Sequence, residues 1–412
     1  MRFAHIADIH LGYEQYNQPW RAEDFARAFR EVVEKAVAER VDFAVIAGDL
    51  FHRSTPSPRA LKEAIEGLSV FKREGIPVFA VEGNHDRSSR DMSACQLLEK
   101  LGLLNVLGLR RERVENEHVT SERVGNVYVV RGYWKDVEIL GDGYRTRWRI
   151  GKVLPLLKPS SDESILVMHQ SVKEAVDIDL KIAHELTLSD LPEASYYAFG
   201  HVHVPKVKRF GDAYLVYPGC VERYDAREAS KFVEYGEELR IKDGVAKGFV
   251  IVEDFEPRFV EVKTRNLVSL RVSGRSAAEV ERKLVEAFKL VGSEDVAIVK
   301  LASAEDIDLK RLSSLLAKAK HFELRFERLS EEEVEFEEAP AESEFFSEFE
   351  LRLLELLKEE SEVAKSTAID VIKEHFGLAV VKRLDDFDDK PEKRFEGKRV
   401  TLLDFLGGGD ED

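Results

Sequence analysis

Five short apolar runs in the first 220 residues, RFAHIA, DFAVIA, PVFAVE, SILVM and SYYAF, each stop at residues able to bind a metal. Runs of this length, rich in branched and aromatic side chains, read as buried strands. Between the first three lie EDFARAFREVVEKAVAER and SPRALKEAIEGLSVFKRE, both with apolar residues at helical spacing. Strand, helix and strand in alternation predict crossovers onto a sheet flanked by helices. From Gly211 to Phe255 the pattern shortens to strands and turns (AYLVYPGC, GFVIVEDF), which predicts a second sheet packed on the first. The fold class is therefore α/β: two packed mixed sheets flanked by helices, with a small α+β cap and a C-terminal helical hairpin.

At 412 residues the chain is too long for one ordinary core. Residues 1–255 are read as the main body and 256–329 as the α+β cap. Residues 330–344, SEEEVEFEEAPAESE, form an acidic linker with too few apolar side chains to pack by themselves. Residues 345–379 carry FFSEFELRLLELLKEE, apolar at helical spacing and too small to bury a core alone, which makes them a docking element or a hairpin folded back on its own body. Residues 380–412 are a tail.

The net charge of −17 at first argues against a nucleic-acid partner, but its distribution changes that reading. Residues 331–412 hold 26 acidic and 11 basic side chains, which leaves the first 330 residues nearly neutral. A basic groove on the body is thus compatible with an acidic whole. No apolar run approaches the roughly 18 residues of a membrane span. The start MRFAHIADIH lacks the features of a signal peptide, so the expected compartment is the cytoplasm, with no membrane partner. Cys95 and Cys220 are the only cysteines and imply neither a disulfide framework nor a thiolate zinc site.

The strand ends carry the chemistry. RFAHIA runs into Asp8 and His10, DFAVIAG into Asp49 with His52 beyond, PVFAVEG into Asn84, His85 and Asp86, SILVM into His169, and SYYAFG into His201 and His203. Ligands of open α/β sheets gather outside the carboxyl ends of the strands, so these groups are expected to converge. Imidazole, carboxylate and amide oxygen suit Mn²⁺, Fe²⁺ or Zn²⁺. Asp8, His10, Asp49, Asn84, His169, His201 and His203 are too many donors for one catalytic ion and fit two ions that share a bridging carboxylate. Such a pair attracts phosphate oxygen and lowers the pKa of a bridging water, which points to phosphoester hydrolysis. His85 is the better candidate for a non-ligand role, donating to the phosphoryl group or protonating the leaving alkoxide, with Asp86 fixing its tautomer. His52 either does the same from the other side or positions the strand, the alternative being a solvated loop histidine. Gly48, Gly83 and Gly200 precede or sit near ligands, though ordinary turns need glycine too.

DxH at 8–10, GD at 48–49, GNHD at 83–86, the isolated His169 and GHVH at 200–203 together resemble the calcineurin-like metallophosphoesterases. HIADIHLGYE, IAGDLFHRSTPSP and VEGNHDR look more narrowly like the Mre-eleven/SbcD nucleases of double-strand-break repair, archaeal in style. The resemblance implies a manganese nuclease with 3'-to-5' exonuclease action on duplex DNA and endonuclease action on single strands. It implies two Mn²⁺ per subunit, one held by Asp8, His10, Asp49 and His203 and the other by Asp49, Asn84, His169 and His201. His85 would assist cleavage and His52 would position the substrate for exonuclease action. It further implies a homodimer through the helices carrying Leu61, Ile65, Leu97 and Leu101. An ABC-type ATPase of the Rad-fifty/SbcC kind would be bound through Phe345, Phe346, Phe349, Leu353 and Leu356. Arg53, Arg87 and Arg90 are candidate contacts to DNA phosphates. KRVTLLDFL near the end is weakly similar to sliding-clamp-binding peptides. The rival readings are a related phosphoesterase acting on nucleotides or phosphoproteins, and a scaffold without catalysis.

Overall fold

The computed structural model describes residues 1–88, 92–175 and 184–329. Its first sheet has the order Glu256–Glu261, Gly248–Glu253, β1 (Arg2–Ile6), β2 (Phe43–Ala47), β3 (Val78–Val81) and Asn105–Val106. The last four of these run parallel, whereas Gly248–Glu253 pairs antiparallel with β1. Helices α1 (Pro19–Ala38) and α2 (Pro58–Arg73) make the two predicted crossovers. Each begins with proline at its first position, where the missing N–H costs nothing.

The second sheet differs from the expectation. It is built only in part from the stretch after Gly211: it begins at Gly108 and includes Ser164–His169 and Tyr196–Gly200 as parallel neighbours. Ala213–Tyr217 belongs to it, while GFVIVE returns to the first sheet beside β1. The five strands that end in candidate ligands are therefore divided between two sheets packed face to face.

Strict alternation explains that packing. Phe3, Phe43, Val45 and Phe79 point inward and meet Ile139, Ile165, Val167, Tyr196 and Ala198 of the second sheet. Phe3 and Phe43 stack at 4.9 Å, and Tyr196 meets Phe3 edge-on at 5.3 Å. The alternate residues Ala4, Ile6, Ala44 and Ile46 face outward against α1, α2 and α3 (Ala94–Lys100). On the far side, Leu140, Leu166 and Met168 pack under α4 (Arg147–Val153). The result is four layers, helix, sheet, sheet and helix.

A third sheet, in the order Leu239–Asp243, Lys231–Tyr235, Leu267–Gly274, Val296–Ser303 and His321–Arg328, carries the helices Ala277–Ala287 and Leu309–Leu316. It is the α+β element expected at 256–329, but the boundary differs in two ways. Its first two strands lie before residue 255, and Glu256–Glu261 pairs in the first sheet instead. Sheet pairing at long range decides this, and local periodicity does not report it. The linker, Phe345 to Leu356 and the tail all lie outside the described residues, as does Arg90. No helix among the described residues is long and apolar enough to cross a membrane.

His5, on the inward face of β1, shows what an ordinary core histidine looks like in this chain. It is fully buried, with Nδ1 3.2 Å from the Tyr196 hydroxyl, and burial pushes its pKa down to about 3. Unfolding returns it to about 6.5, so the unfolded chain takes up a proton first as the pH falls, and this contribution is lost from pH 6.5 downward. Denaturant unfolding at pH 7 and pH 5 is expected to show wild type losing on the order of 2 kcal/mol more than His5→Phe. Parallel losses in the two proteins would refute the assignment.

Candidate metal centre

The turns after β1 and β2 are zipped together before any side chain is considered. Asp8 N–H donates to Gly48 O at 3.1 Å, His10 N–H to Asp49 O at 2.9 Å and Leu11 N–H to Leu50 O at 3.0 Å. This pairing forces Asp8, His10 and Asp49 into the left-handed region, with φ of 51°, 49° and 51°, and His201 lies there too at 84°. Such backbone is uncommon for non-glycine residues and persists only where the surroundings over-determine it. The glycines are more than turn residues. A Cβ on Gly83 would stand 1.9 Å from Asp49 Oδ1, and one on Gly48 would stand 2.2 Å from His169 Nδ1.

The seven donors meet as two overlapping groups. His10 Nε2 lies 3.3 Å from His203 Nε2 and 3.8 Å from Asp49 Oδ2, while His203 Nε2 lies 3.7 Å from Asp8 Oδ1. On the other side His169 Nε2 lies 3.1 Å from Asn84 Oδ1 and 3.3 Å from Asp49 Oδ2, and His201 Nδ1 lies 3.1 Å from Asn84 Oδ1. Asp49 Oδ2 faces both groups. Asp8 also approaches both, since its Oδ1 is 4.0 Å from His169 Nε2.

Outer contacts fix which nitrogen each ring presents. His169 Nδ1 donates to Ala47 O at 2.8 Å, so Nε2 is the nitrogen that faces the cluster. His203 Nδ1 meets Glu228 Oε1 at 3.2 Å, which likewise frees its Nε2. Glu228 is buried and paired with the buried Lys247, whose ammonium also donates to His203 O at 2.8 Å. Burial resists ionisation of Glu228, yet Lys247 and His203 outweigh it and hold its pKa at about 2. Neither Glu228 nor Lys247 carries a local sequence signal, because both lie beyond the last motif and reach the site only through the fold.

The titration of these groups fits a cation. Burial pushes the pKa of His10 far down and that of His201 to about 3, which leaves both rings neutral with lone pairs available. Burial and the nearby Asp49 raise Asp8 despite His169 and His203. His169 behaves oppositely. Burial disfavours its charge, but Asp49 and Asp8 outweigh that and raise its pKa to about 10. Electron-rich atoms converge around Asp49, and imidazole, carboxylate and amide oxygen are donor types that suit divalent ions. Cys220 is also close, with Sγ in reach of His10 and His203. Its thiol donates to Asp8 O at 2.8 Å, and burial raises its pKa well above the usual value, so it acts as a donor rather than a thiolate ligand.

His85 and His52 stand beside this cluster. His85 Nδ1 lies 2.9 Å from the carbonyl oxygen of His52, so His52, not Asp86, sets the tautomer of His85. The expected role of Asp86 is corrected accordingly. Its buried carboxylate accepts from Gly83 N–H at 2.7 Å and Leu50 N–H at 2.7 Å, knitting the loops after β2 and β3 together. His52 is sandwiched in a stack, 3.9 Å from Tyr13 and 5.0 Å from His85, and Tyr13 stacks in turn on Tyr224 at 4.7 Å. Burial and the charges of His85 and Arg53 push the pKa of His52 down to about 4. Arg53 itself is exposed, and Arg87 is half-buried, donating from Nη1 to Tyr144 O at 2.9 Å.

Two outcomes follow from this arrangement. Calorimetric Mn²⁺ titration at pH 7.5 in buffers of differing ionisation enthalpy is expected to show release of about one proton that His169→Asn abolishes, because the metal displaces the proton of His169. Glu228→Gln is expected to weaken metal uptake about tenfold by loosening His203. Undiminished affinity would mean that the His203 contact is incidental.

The comparisons agree with this geometry. A family model described as calcineurin-like phosphoesterase matches residues 1–205, which include all seven donors. The chain is 58% identical to the DNA double-strand break repair protein Mre11 of Archaeoglobus fulgidus, and the alignment covers 100% of both chains. It is 31% identical to the protein of the same name from Methanopyrus kandleri, over 71% of this chain and 64% of the relative. It is 28% identical to that of Methanocaldococcus jannaschii, over 67% and 71%. A match along the whole chain, together with strand ends that gather phosphoesterase ligands, shows that this enzyme belongs to the Mre11 family of calcineurin-like phosphoesterases.

Proposed function

We propose that the protein is a Mn²⁺-dependent DNA nuclease of double-strand-break repair, acting as a 3'-to-5' exonuclease on duplex ends and as an endonuclease on single strands. The observation that carries this reading is the gathering of seven donors about Asp49 with a further imidazole, His85, beside them. Two ions in this site supply a hydroxide nucleophile and neutralise phosphate charge when bound. The residues do the rest. Asp49 faces both groups with its Oδ2 while its Oδ1 accepts the backbone N–H of His85 at 2.9 Å, which ties the His85 main chain to the bridging residue. With Nδ1 held by the His52 carbonyl, His85 has only Nε2 free to deliver a proton to the leaving alkoxide. The stack of Tyr13, His52 and His85 fixes that ring's plane, which favours His52 as a positioning residue.

Arg53 and Arg87 flank the metal-bearing loops and serve as phosphate contacts in this reading. Homodimer formation is supported by exposed apolar side chains on α2, on α3 and at the residue that ends α3: Ile65 is 36% exposed, Leu97 42% and Leu101 49%. Leu61 is partly packed against the core and Leu98 is wholly within it. The ends of the two helices are joined by Lys72 Nζ donating to Leu101 O at 3.3 Å, so these side chains belong to adjoining surfaces. The apolar spacing from Phe345 to Leu356 supports docking of a Rad-fifty/SbcC-type ATPase.

The decisive test pairs a labelled duplex with bis(p-nitrophenyl) phosphate. With Mn²⁺ the wild type should degrade both, and His85→Gln should keep two bound ions per subunit yet cleave about 10²- to 10⁴-fold more slowly. Turnover of the small ester with intact DNA, or a His85→Gln enzyme as fast as wild type, would defeat the proposal.

A further inference from the structure

The chain has three tryptophans. Trp20 and Trp134 are partly covered, but Trp148, on α4, is 71% exposed. The buried face of α4 presents Ile150 and Val153 to the second sheet, which turns Arg147, Trp148, Arg149 and Lys152 outward together. Lys152 Nζ sits 3.5 Å from the centroid of the indole and so covers only one of its faces. An indole left open to water, with Lys152 over one face and the exposed Arg147 and Arg149 on either side of it in the chain, contributes nothing to the core. Its chemistry suits a flat, electron-rich ligand with negative charge beside it.

α4 is also tethered to the metal centre. Tyr144 N–H donates to Glu82 O at 2.8 Å, and its carbonyl accepts from Arg87 at 2.9 Å. The Tyr144 ring lies 5.4 Å from that of His201 and 6.4 Å from that of His169. Trp148 follows four residues later, no more than roughly 14 Å of chain away. Arg145, between them, is neutralised by Asp142 at 2.6 Å, and Arg147 has Asp190 as an acidic neighbour. A strand held at the metal centre would pass this surface within a few nucleotides.

Resting on the nuclease reading above, we propose that Trp148 is a stacking platform for an unpaired nucleobase of the bound strand, with Arg147 and Arg149 holding the adjoining phosphates. Bases inside a duplex already have both faces stacked, so the indole can take an unpaired base or cap a terminal pair but not reach an internal one. The platform therefore favours single strands and ends over duplex interior. A protein partner fits the surface less well, because the groups around the indole are cations rather than apolar side chains.

The test uses the full chain without divalent ions, so that nothing is cut, and two labelled single-stranded probes, oligothymidylate and the same length with abasic sites. Trp148→Ala should weaken oligothymidylate binding about tenfold and leave the abasic probe within about twofold, whereas Trp148→Phe should stay near wild type. Unchanged binding of oligothymidylate by Trp148→Ala, or equal loss of both probes, would overturn the platform. Mn²⁺-dependent turnover of bis(p-nitrophenyl) phosphate should be the same in Trp148→Ala and wild type. Its absence from wild type would sink the nuclease reading while the two binding probes still decide the platform.

Discussion

Crowding of lone pairs about the Asp49 carboxylate is the constraint from which the rest of the structure follows. One oxygen is fixed by the His85 amide, and the other faces imidazole nitrogens on both sides. Four donors hold left-handed backbone to reach this point. Each such conformation costs on the order of 1–3 kcal/mol, so together they approach the net stability of a whole domain. Isolated loops cannot carry that load. Here it is offset by the apolar interface between two sheets, by helices on both outer faces and by the backbone bonds that join the turns after β1 and β2.

The same demand explains the buried polar shell. Glu228 is useful to His203 only if it is ionised, and in a dry interior it is ionised only because Lys247 lies against it. Removing one partner of such a pair leaves the other charged and unsolvated, so the pair specifies geometry more than it adds stability. Asp86 plays a parallel part on the other side of the site, using its oxygens on backbone donors rather than on a ligand.

The third sheet joins this shell through a chain of buried charges. Arg265, just before its central strands, donates to Asp24 at 2.6 and 2.8 Å. Asp24 also accepts from Arg21 at 2.7 Å, and Arg21 donates to Gln15 at 2.8 Å. Gln15 bonds the carbonyl of Tyr224, whose ring lies 4.7 Å from His10. Trp20 adds its face to Arg265 at 4.8 Å and Lys320 at 5.4 Å, and Tyr16 stacks on His321 at 5.0 Å. A displacement of the cap would therefore be felt at the aromatic wall of the metal centre, through groups that tolerate little misalignment.

The alternation of apolar runs and helices, and the donors at the run ends, were written into the sequence because each depends on neighbours within a few residues. Asp8, His10, Asp49, Asn84, His169, His201 and His203 could be chosen on that basis, since strand ends of an α/β sheet share one edge. Which strand joined which sheet could not. GFVIVE and Glu256–Glu261 pair with the first sheet although they follow strands of the third, and only contacts between distant segments select that arrangement. For the same reason Glu228, Lys247 and Cys220 came to the site unannounced, and Asp86 turned from its neighbour His85 toward backbone amides. Local order fixes what a residue can do, whereas the packing of two sheets decides which residue it does it to.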